Sequence, residues 1–188
     1  RVFDAGFSSS HLASLTPMVV QRVDVFIEKL EAHERSGDVF PLLPLTKSLT
    51  LDVIGRVTMA ADFNTQKQSN EIVDAFLTMP KYIPPLGFDP LRLLSPTRIW
   101  NARHYQLKLN SLIGQVVEQR FRERRQGRVG PSEKSLVHLA LDTYEQMQGN
   151  KDEVNSMDPV FMKNAVDNIR AFFFAGSVNN GRTAIEIR

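Results

Sequence analysis

The stretch from Asp158 to Gly176 constrains the fold more than any other part of the chain. Asp158 and Pro159 form a helix-start signal, because aspartate caps free backbone N–H groups and proline favours the first helical position. Two apolar rows follow at helical spacing: Phe161, Ala165, Phe172 and Ala175 in one, and Met162, Val166, Ile169 and Phe173 in the other. A helix that is apolar over so much of its circumference is predicted to be buried. We therefore expect the rest of the chain to pack around it.

The upstream sequence predicts further helices. Apolar spacing indicates one up to Gly37 with a bend at Pro17, one beginning near Pro44, and others over 71–79, 97–126 and 132–141. A short β-like piece over 38–40 and a polar loop over 146–156 interrupt them. Because almost every periodic segment is helical, the predicted fold class is all-α.

One carboxylate, Asp52, lies among apolar neighbours of the predicted second helix. Buried carboxylates need partners. We expect Asp52 to face polar partners or solvent on the other side of this helix.

Segment 80–94 has the most unusual composition. Prolines at 80, 84, 85 and 90 interrupt seven apolar or aromatic residues, so it is predicted to be a loop, yet it is too apolar for a plain solvated connection. Two alternatives remain open: it packs on the core, or it forms a lid or membrane-facing patch.

A run of arginines over 120–128 ends the long predicted helix. Cations are favoured in a last helical turn, and Gly127 supplies the helix stop. No second basic patch with stacking aromatics completes a nucleic-acid groove. The sequence therefore predicts a solvated helix end and no nucleic-acid partner.

Composition excludes several kinds of site. The 188 residues carry a net charge of +2 and no cysteine, so neither disulfides nor thiolate ligands can form within them. The four histidines show no metal-ligand spacing, no serine lies in a Gly-x-Ser-x-Gly motif, and no apolar run is long enough to cross a bilayer. From composition and spacing alone, the prediction stops at a soluble α-helical piece.

Four segments, in order, resemble the middle of a cytochrome P450 of the fungal microsomal kind. Residues 2–8 resemble the end of the family's third helix, 49–55 its fifth, and 80–128 the roof formed by its sixth and seventh helices. Residues 169–176 resemble the central helix just before its oxygen-activating turn. The resemblance covers nearly the whole of 1–188 and implies a partial cytochrome P450 domain, the distal helical half of the fold.

The resemblance implies a haem iron bound through a cysteine thiolate, and insertion of one oxygen atom of O2 into an apolar substrate. It also implies an NADPH-dependent flavin reductase as partner, the endoplasmic reticulum membrane as location, and membrane contact through 80–94. Ala175 and Gly176 would line the oxygen groove against the haem. Ala171, Phe172 and Phe173 are candidates for the substrate-pocket wall, with packing in the core as the alternative for the Phe residues, especially Phe173.

The sequence departs from the family at the oxygen-activating turn. The family places an acid and an alcohol there to deliver protons, whereas Val178 and Asn179 occupy these positions and neither can relay protons in that way. Gly181 and two Asn also favour a helix poorly. We expect an off-pattern tail over 177–188, in a fragment that lacks the haem-ligating cysteine region, has no intact catalytic group, and binds neither haem nor a metal alone. The alternatives are a non-enzymatic α-helical interaction module and a dead paralogue fragment.

Overall fold

The computed structural model describes residues 9–82, 95–127, 135–148 and 157–183, and within them it is helical with no strand. The α-helices are α1 (Ser9–Ser36), α2 (Leu42–Met59), α3 (Glu71–Thr78), α4 (Pro96–Arg125), α5 (Leu136–Gln148) and α6 (Pro159–Thr183). A 3-10 turn, Met79–Lys81, follows α3. The predicted all-α class is confirmed.

The last helix, α6, is the centre of the packing. It packs most extensively against α2 and next against α4, while α5 lies against α2, α4 and α6. The buried apolar cluster draws on all of these helices and on α3; its largest fully buried members include Phe76, Phe173, Leu51, Met59, Leu109 and Ile113. The prediction that α6 organises the fold agrees with this arrangement.

The start of α6 follows the predicted signal. The backbone N–H of Val160 donates to the Asp158 carboxylate at 3.0 Å, and the backbone N–H of Met162 donates to the Asp158 carbonyl at 2.9 Å. Asp158 is itself held by α5, because its backbone N–H donates to the Tyr144 hydroxyl at 3.0 Å. These contacts therefore fix the first turn of α6 against α5.

Several predicted boundaries differ from the observed ones. The β-like piece over 38–40 is neither strand nor helix: Val39 is fully exposed, and Phe40 stacks on His33 with 4.0 Å between ring centroids. A strand there has no neighbouring strand among the described residues to pair with. Helix α2 begins at Leu42 rather than Pro44, and α5 runs to Gln148, into the predicted polar loop.

The arginine run at the end of α4 is only partly solvated, so that prediction was wrong for two of its members. Arg120 donates to the backbone carbonyls of Met59 and Ala60, and Arg124 pairs with Asp142 and Glu145 of α5. The local sequence indicates cations at a helix end, but it cannot predict hydrogen-bond and ion-pair partners that are distant in the chain. These two arginines hold α4 to α2 and to α5.

Of the apolar segment 80–94, only the first residues fall in the described part. Tyr82 stacks on Tyr105 of α4 with 5.6 Å between ring centroids. Residues 83–94, and with them both alternatives for this segment, lie outside the described residues.

Candidate functional site

The residues predicted to form the site separate onto two sides of α6. Phe173 has an exposed fraction of 0%, Phe172 is half-buried, and Ala171 and Ala175 are exposed. The two alanines are one helical turn apart, and we call them the alanine face. Helix α6 is therefore not buried all round, as the apolar rows had suggested, because Ala175 belongs to one of those rows.

The exposed side of α6 changes character along its length. Val160, Asn164 and Asn168 precede the alanine face at helical spacing, and all three are exposed. Asn168 donates to the carbonyl oxygen of Asn164 at 2.7 Å, so its amide is satisfied by its own helix. Beyond Asn168 the exposed side becomes small and apolar.

Aromatic rings support the alanine face from behind. Phe173 lies between Phe63, in the connection after α2, and Phe76 of α3, with ring centroids 5.7 and 5.5 Å apart. Phe174 meets Phe76 edge to face at 5.0 Å. Such tilted and edge-to-face contacts are the favoured arrangements of aromatic pairs. Phe173 is thus a core residue. The sequence alone had left two alternatives for it, a place in the core and a place in the wall of the substrate pocket.

Phe63 and Phe76 were missed by the sequence analysis as supports of this site. Phe63 comes from a non-helical connection, so it belongs to no periodic row. The available signal was Gly55, a glycine inside an apolar helix, where glycine costs helix stability and therefore indicates a close approach. A Cβ on Gly55 would lie 2.5 Å from two ring carbons of Phe63.

On the α4 side, α6 is held by a polar contact. Arg170 donates to the Asn110 side chain at 3.0 Å and to Asp167 at 2.9 Å. A hydrogen bond from Lys163 is the largest influence on Asp167 and, with the charges of Lys163 and Arg170, holds the pKa of Asp167 below its ordinary value despite partial burial. Asp167 therefore stays ionised and keeps Arg170 oriented towards α4.

The two positions that depart from the oxygen-activating pattern lie within α6. The backbone stays helical through Asn179, Asn180 and Gly181 to Thr183. These residues continue the helix although they favour it poorly, because helix propensity is a weak preference of about 1 kcal/mol even for glycine. The side chains of 177–183, including those of Val178 and Asn179, and the exposure of Gly176 lie outside what the structure describes.

No metal-binding cluster is present in the described ranges. His138 is buried and lies 3.0 Å from the Ser135 hydroxyl, His11 is buried in α1, and His104 stacks on Trp100. These are packing and surface positions; that none of the histidines binds a metal stays a prediction. Similarly, no described helix is both long and apolar enough to span a membrane.

Comparison with known proteins identifies the family. The family model described as Cytochrome P450 matches residues 1–183. The chain belongs to the cytochrome P450 family. The match includes residues 177–183, so it extends past Val178 and Asn179.

Curated relatives agree with this assignment. The chain is 27% identical over 186 residues to cytochrome P450 monooxygenase acrF of Aspergillus aculeatus, covering 99% of this chain and 35% of that protein. It is 26% identical over 175 residues to cytochrome P450 monooxygenase polC of Polytolypa hystricis, covering 93% of this chain and 31% of that protein. Cytochrome P450 monooxygenase BipB of Cochliobolus sativus is 36% identical over 63 residues, covering 34% of this chain and 12% of BipB. The chain thus spans about a third of the length of the first two relatives.

Complete members of the P450 family hold haem, and the residues present fit part of what it needs. The alanine face offers a small, apolar, exposed surface on a helix that is rigidly backed by Phe173. A flat, largely apolar macrocycle can lie against such a surface because no long side chain projects from it. A thiolate ligand is a different matter: the 188 residues contain no cysteine to supply it.

Proposed function

We propose that this chain forms the distal, substrate-covering helices of a haem monooxygenase that inserts one oxygen atom of O2 into an apolar organic substrate. The observation that carries the proposal is the exposure of Ala171 and Ala175 on the same helix that places Ile169 and Phe173 in the core. A small apolar face on such a helix leaves room for a flat apolar partner, because no long side chain projects from it. Complete members of the family hold haem, which supports haem as that partner in our proposal.

When bound, haem supplies the oxygen-activating redox chemistry, with its iron held by a cysteine thiolate from outside these residues. The protein's task on this side is to exclude water and to shape the space in which the substrate lies. In our proposal Ala175, together with Gly176, keeps α6 slim where the macrocycle and O2 approach. Ala171 and half-buried Phe172 form the substrate wall, and buried Phe173 acts from behind.

As written, the chain lacks the groups that would deliver protons at this site. Val178 is a hydrocarbon, and the Asn179 amide does not exchange protons as a carboxylic acid does. We therefore propose that the chain alone is inactive, either as an incomplete product or as part of a dead paralogue. The boundary of the off-pattern tail at residue 177 stays a prediction.

The remaining proposals follow from the family. The electrons would come from an NADPH-dependent flavin reductase, and the complete protein would reside at the endoplasmic reticulum membrane. Contact with that membrane through segment 80–94 is part of the same proposal. The apolar composition of this segment supports it.

Haem titration of the 188-residue chain tests the inactivity proposal. We expect no Soret band at the thiolate–carbon monoxide position, because no thiolate is available in the chain. Appearance of that band would contradict the proposal. Sequencing of the mature transcript is the companion measurement: a later cysteine and an acid–alcohol pair after Gly176 would identify an incomplete product.

A longer protein carrying the cysteine region would test the role of the alanine face. Ala175→Leu is expected to lower haem incorporation, because the added atoms project into the space assigned to the macrocycle. Asn164→Leu is the matched control, since Asn164 is exposed on the same side of α6, three turns earlier. Equal haem contents in the two variants would contradict the proposed role of Ala175.

A further inference from the structure

Phe63 packs closely between two helices behind the candidate site. Its ring lies against the backbone of Gly55 in α2 on one side and 5.7 Å, centroid to centroid, from the ring of Phe173 in α6 on the other. Phe63, Phe173 and Gly55 are all buried. Phe63 therefore acts as a spacer between α2 and α6, the two helices with the most extensive contact in the fold.

The connection that carries Phe63 cannot easily move away, because polar contacts fix it to α2. The Asp52 carboxylate accepts from the backbone N–H and the hydroxyl of Thr65 at 2.7 and 2.8 Å, and from the backbone N–H of Gln66 at 3.3 Å. The Thr65 hydroxyl also lies 2.9 Å from the Ser48 carbonyl oxygen. Asp52 is 2% exposed, so these hydrogen bonds are shielded from competing water.

The geometry of a helix links this spacer to the alanine face. Successive residues of an α-helix are about 100° apart, so residues two positions away lie on nearly the opposite side. Ala171 and Ala175 are each two positions from Phe173. How deeply Phe173 seats against Phe63 thus determines how far the alanine face stands from the core.

We propose that Phe63 is a positioning residue for the candidate site: wedged between Gly55 and Phe173, it sets the height of the alanine face. This proposal rests on the proposed function, because the height of the alanine face affects haem and substrate only if they bind there. A Cβ at position 55 pushes the Phe63 ring towards α6, and Phe173 must then shift together with the neighbouring turns of that helix. Gly55 lies in α2 and does not contribute to the alanine face, yet its lack of a side chain is needed for the position of α6.

The test compares two glycine substitutions in helices that both contact α6. Gly55→Ala places a Cβ 2.5 Å from the Phe63 ring, whereas Gly114→Ala in α4 places one 3.9 Å from Val166, an ordinary contact. Both exchange a helical glycine for alanine and gain the same helix propensity. Amide hydrogen exchange is followed separately over two segments of α6: 160–168, near its start, and 170–175, which carries Phe173.

We expect Gly55→Ala to accelerate exchange over 170–175 by about tenfold relative to 160–168, because overpacking acts on the segment of α6 that carries Phe173. Gly114→Ala is expected to leave the ratio between the two segments unchanged. Equal acceleration of both segments would show that Gly55→Ala acts only on global stability. Either that result or no change at all would overturn the proposal.

A second variant keeps the proposal testable if Gly55→Ala prevents folding. In Gly55→Ala/Phe63→Leu, the smaller side chain makes room for the added Cβ, so we expect folding and slow exchange over 170–175 to return relative to Gly55→Ala alone. A double variant that remains unfolded, or whose amides over 170–175 exchange as fast as in Gly55→Ala, would refute the positioning role of Phe63. These measurements do not use haem. Their result therefore tests the positioning role of Phe63 separately from the proposed haem function.

Discussion

The guanidinium of Arg120 in α4 donates hydrogen bonds to the carbonyl oxygens of Met59 and Ala60, at 3.2 and 2.8 Å, where α2 ends. Ala60 is in the left-handed conformation with φ 53°, and its N–H donates to the Arg56 carbonyl at 3.0 Å. The last carbonyls of a helix lack partners within it and carry partial negative charge. Arg120 supplies partners from 60 residues further along the chain, and Arg56 of α2 also donates to the Ala60 carbonyl at 3.1 Å. Arg120 thus helps to fix where the connection bearing Phe63 begins.

Replacing Arg120 should therefore destabilise the fold, although the residue belongs to an arginine-rich helix end. Hydrogen bonds to charged groups contribute about 1.5–3 kcal/mol, so Arg120→Leu is expected to lower the free energy of unfolding by about 2 kcal/mol, measured by urea denaturation. Arg122→Leu is the control, since Arg122 pairs only with Glu118 on the exposed surface of the same helix in the contacts described. A loss in the control as large as that of Arg120→Leu would argue against the capping role.

Asp52 offers a second test of the same connection. The three donors that face its carboxylate cannot all be accommodated by an amide, because Asn replaces one acceptor oxygen with a donor NH2 group. Asp52→Asn is expected to lower the free energy of unfolding by about 1–3 kcal/mol, the cost of leaving buried polar groups unsatisfied. Asp24→Asn, an exposed position on α1, is the control and should change it by less than about 0.5 kcal/mol. Equal effects would show that the buried contacts do not matter.

The sequence predicted the helices well but predicted the surroundings of α6 only in part, for physical reasons. Periodic apolar spacing reports which residues share a helix face, so Ile169 and Phe173 were correctly placed together. It cannot tell a face covered within these residues from one left open, which is why Ala175 was grouped with buried positions. The packing role of Phe63 was missed because this residue lies outside any helix. The hydrogen bonds of Arg120 were missed because its acceptors are distant in sequence. Asp52 was predicted to find polar partners or solvent, and it has only the partners.

Acid should weaken the fold through two carboxylates with lowered pKa values. A hydrogen bond from Gln119 is the largest influence on Glu123 and, with Arg120, holds the pKa of Glu123 below its ordinary value, while Lys163 and Arg170 do so for Asp167. A lowered folded-state pKa contributes stability that is present above the unfolded-state pKa and is lost as the pH falls through the folded-state pKa. The free energy of unfolding should therefore decrease on acidification below the ordinary carboxyl range.

The variant Glu123→Gln/Asp167→Asn is expected to flatten this acid dependence, because it removes both titrating groups. Glu28→Gln/Asp24→Asn removes the same number of charges from exposed positions on α1 and should retain it. Urea denaturation at a series of pH values distinguishes the two. Parallel pH profiles for both double variants would contradict the assignment.

The division between Phe173 and its neighbour Phe172 gives the most direct test of how α6 is seated. Phe173 is fully buried between Phe63 and Phe76, so Phe173→Ala removes a complete side chain from a packed core and is expected to cost about 3–5 kcal/mol. Phe172 is half-buried, so less of its ring is removed from water and Phe172→Ala should cost less than about half as much. Urea denaturation of the two variants measures the difference. If Phe172→Ala proved as costly as Phe173→Ala, the side of α6 that bears the alanine face would be packed as tightly as the core, and the face would not be available to a cofactor.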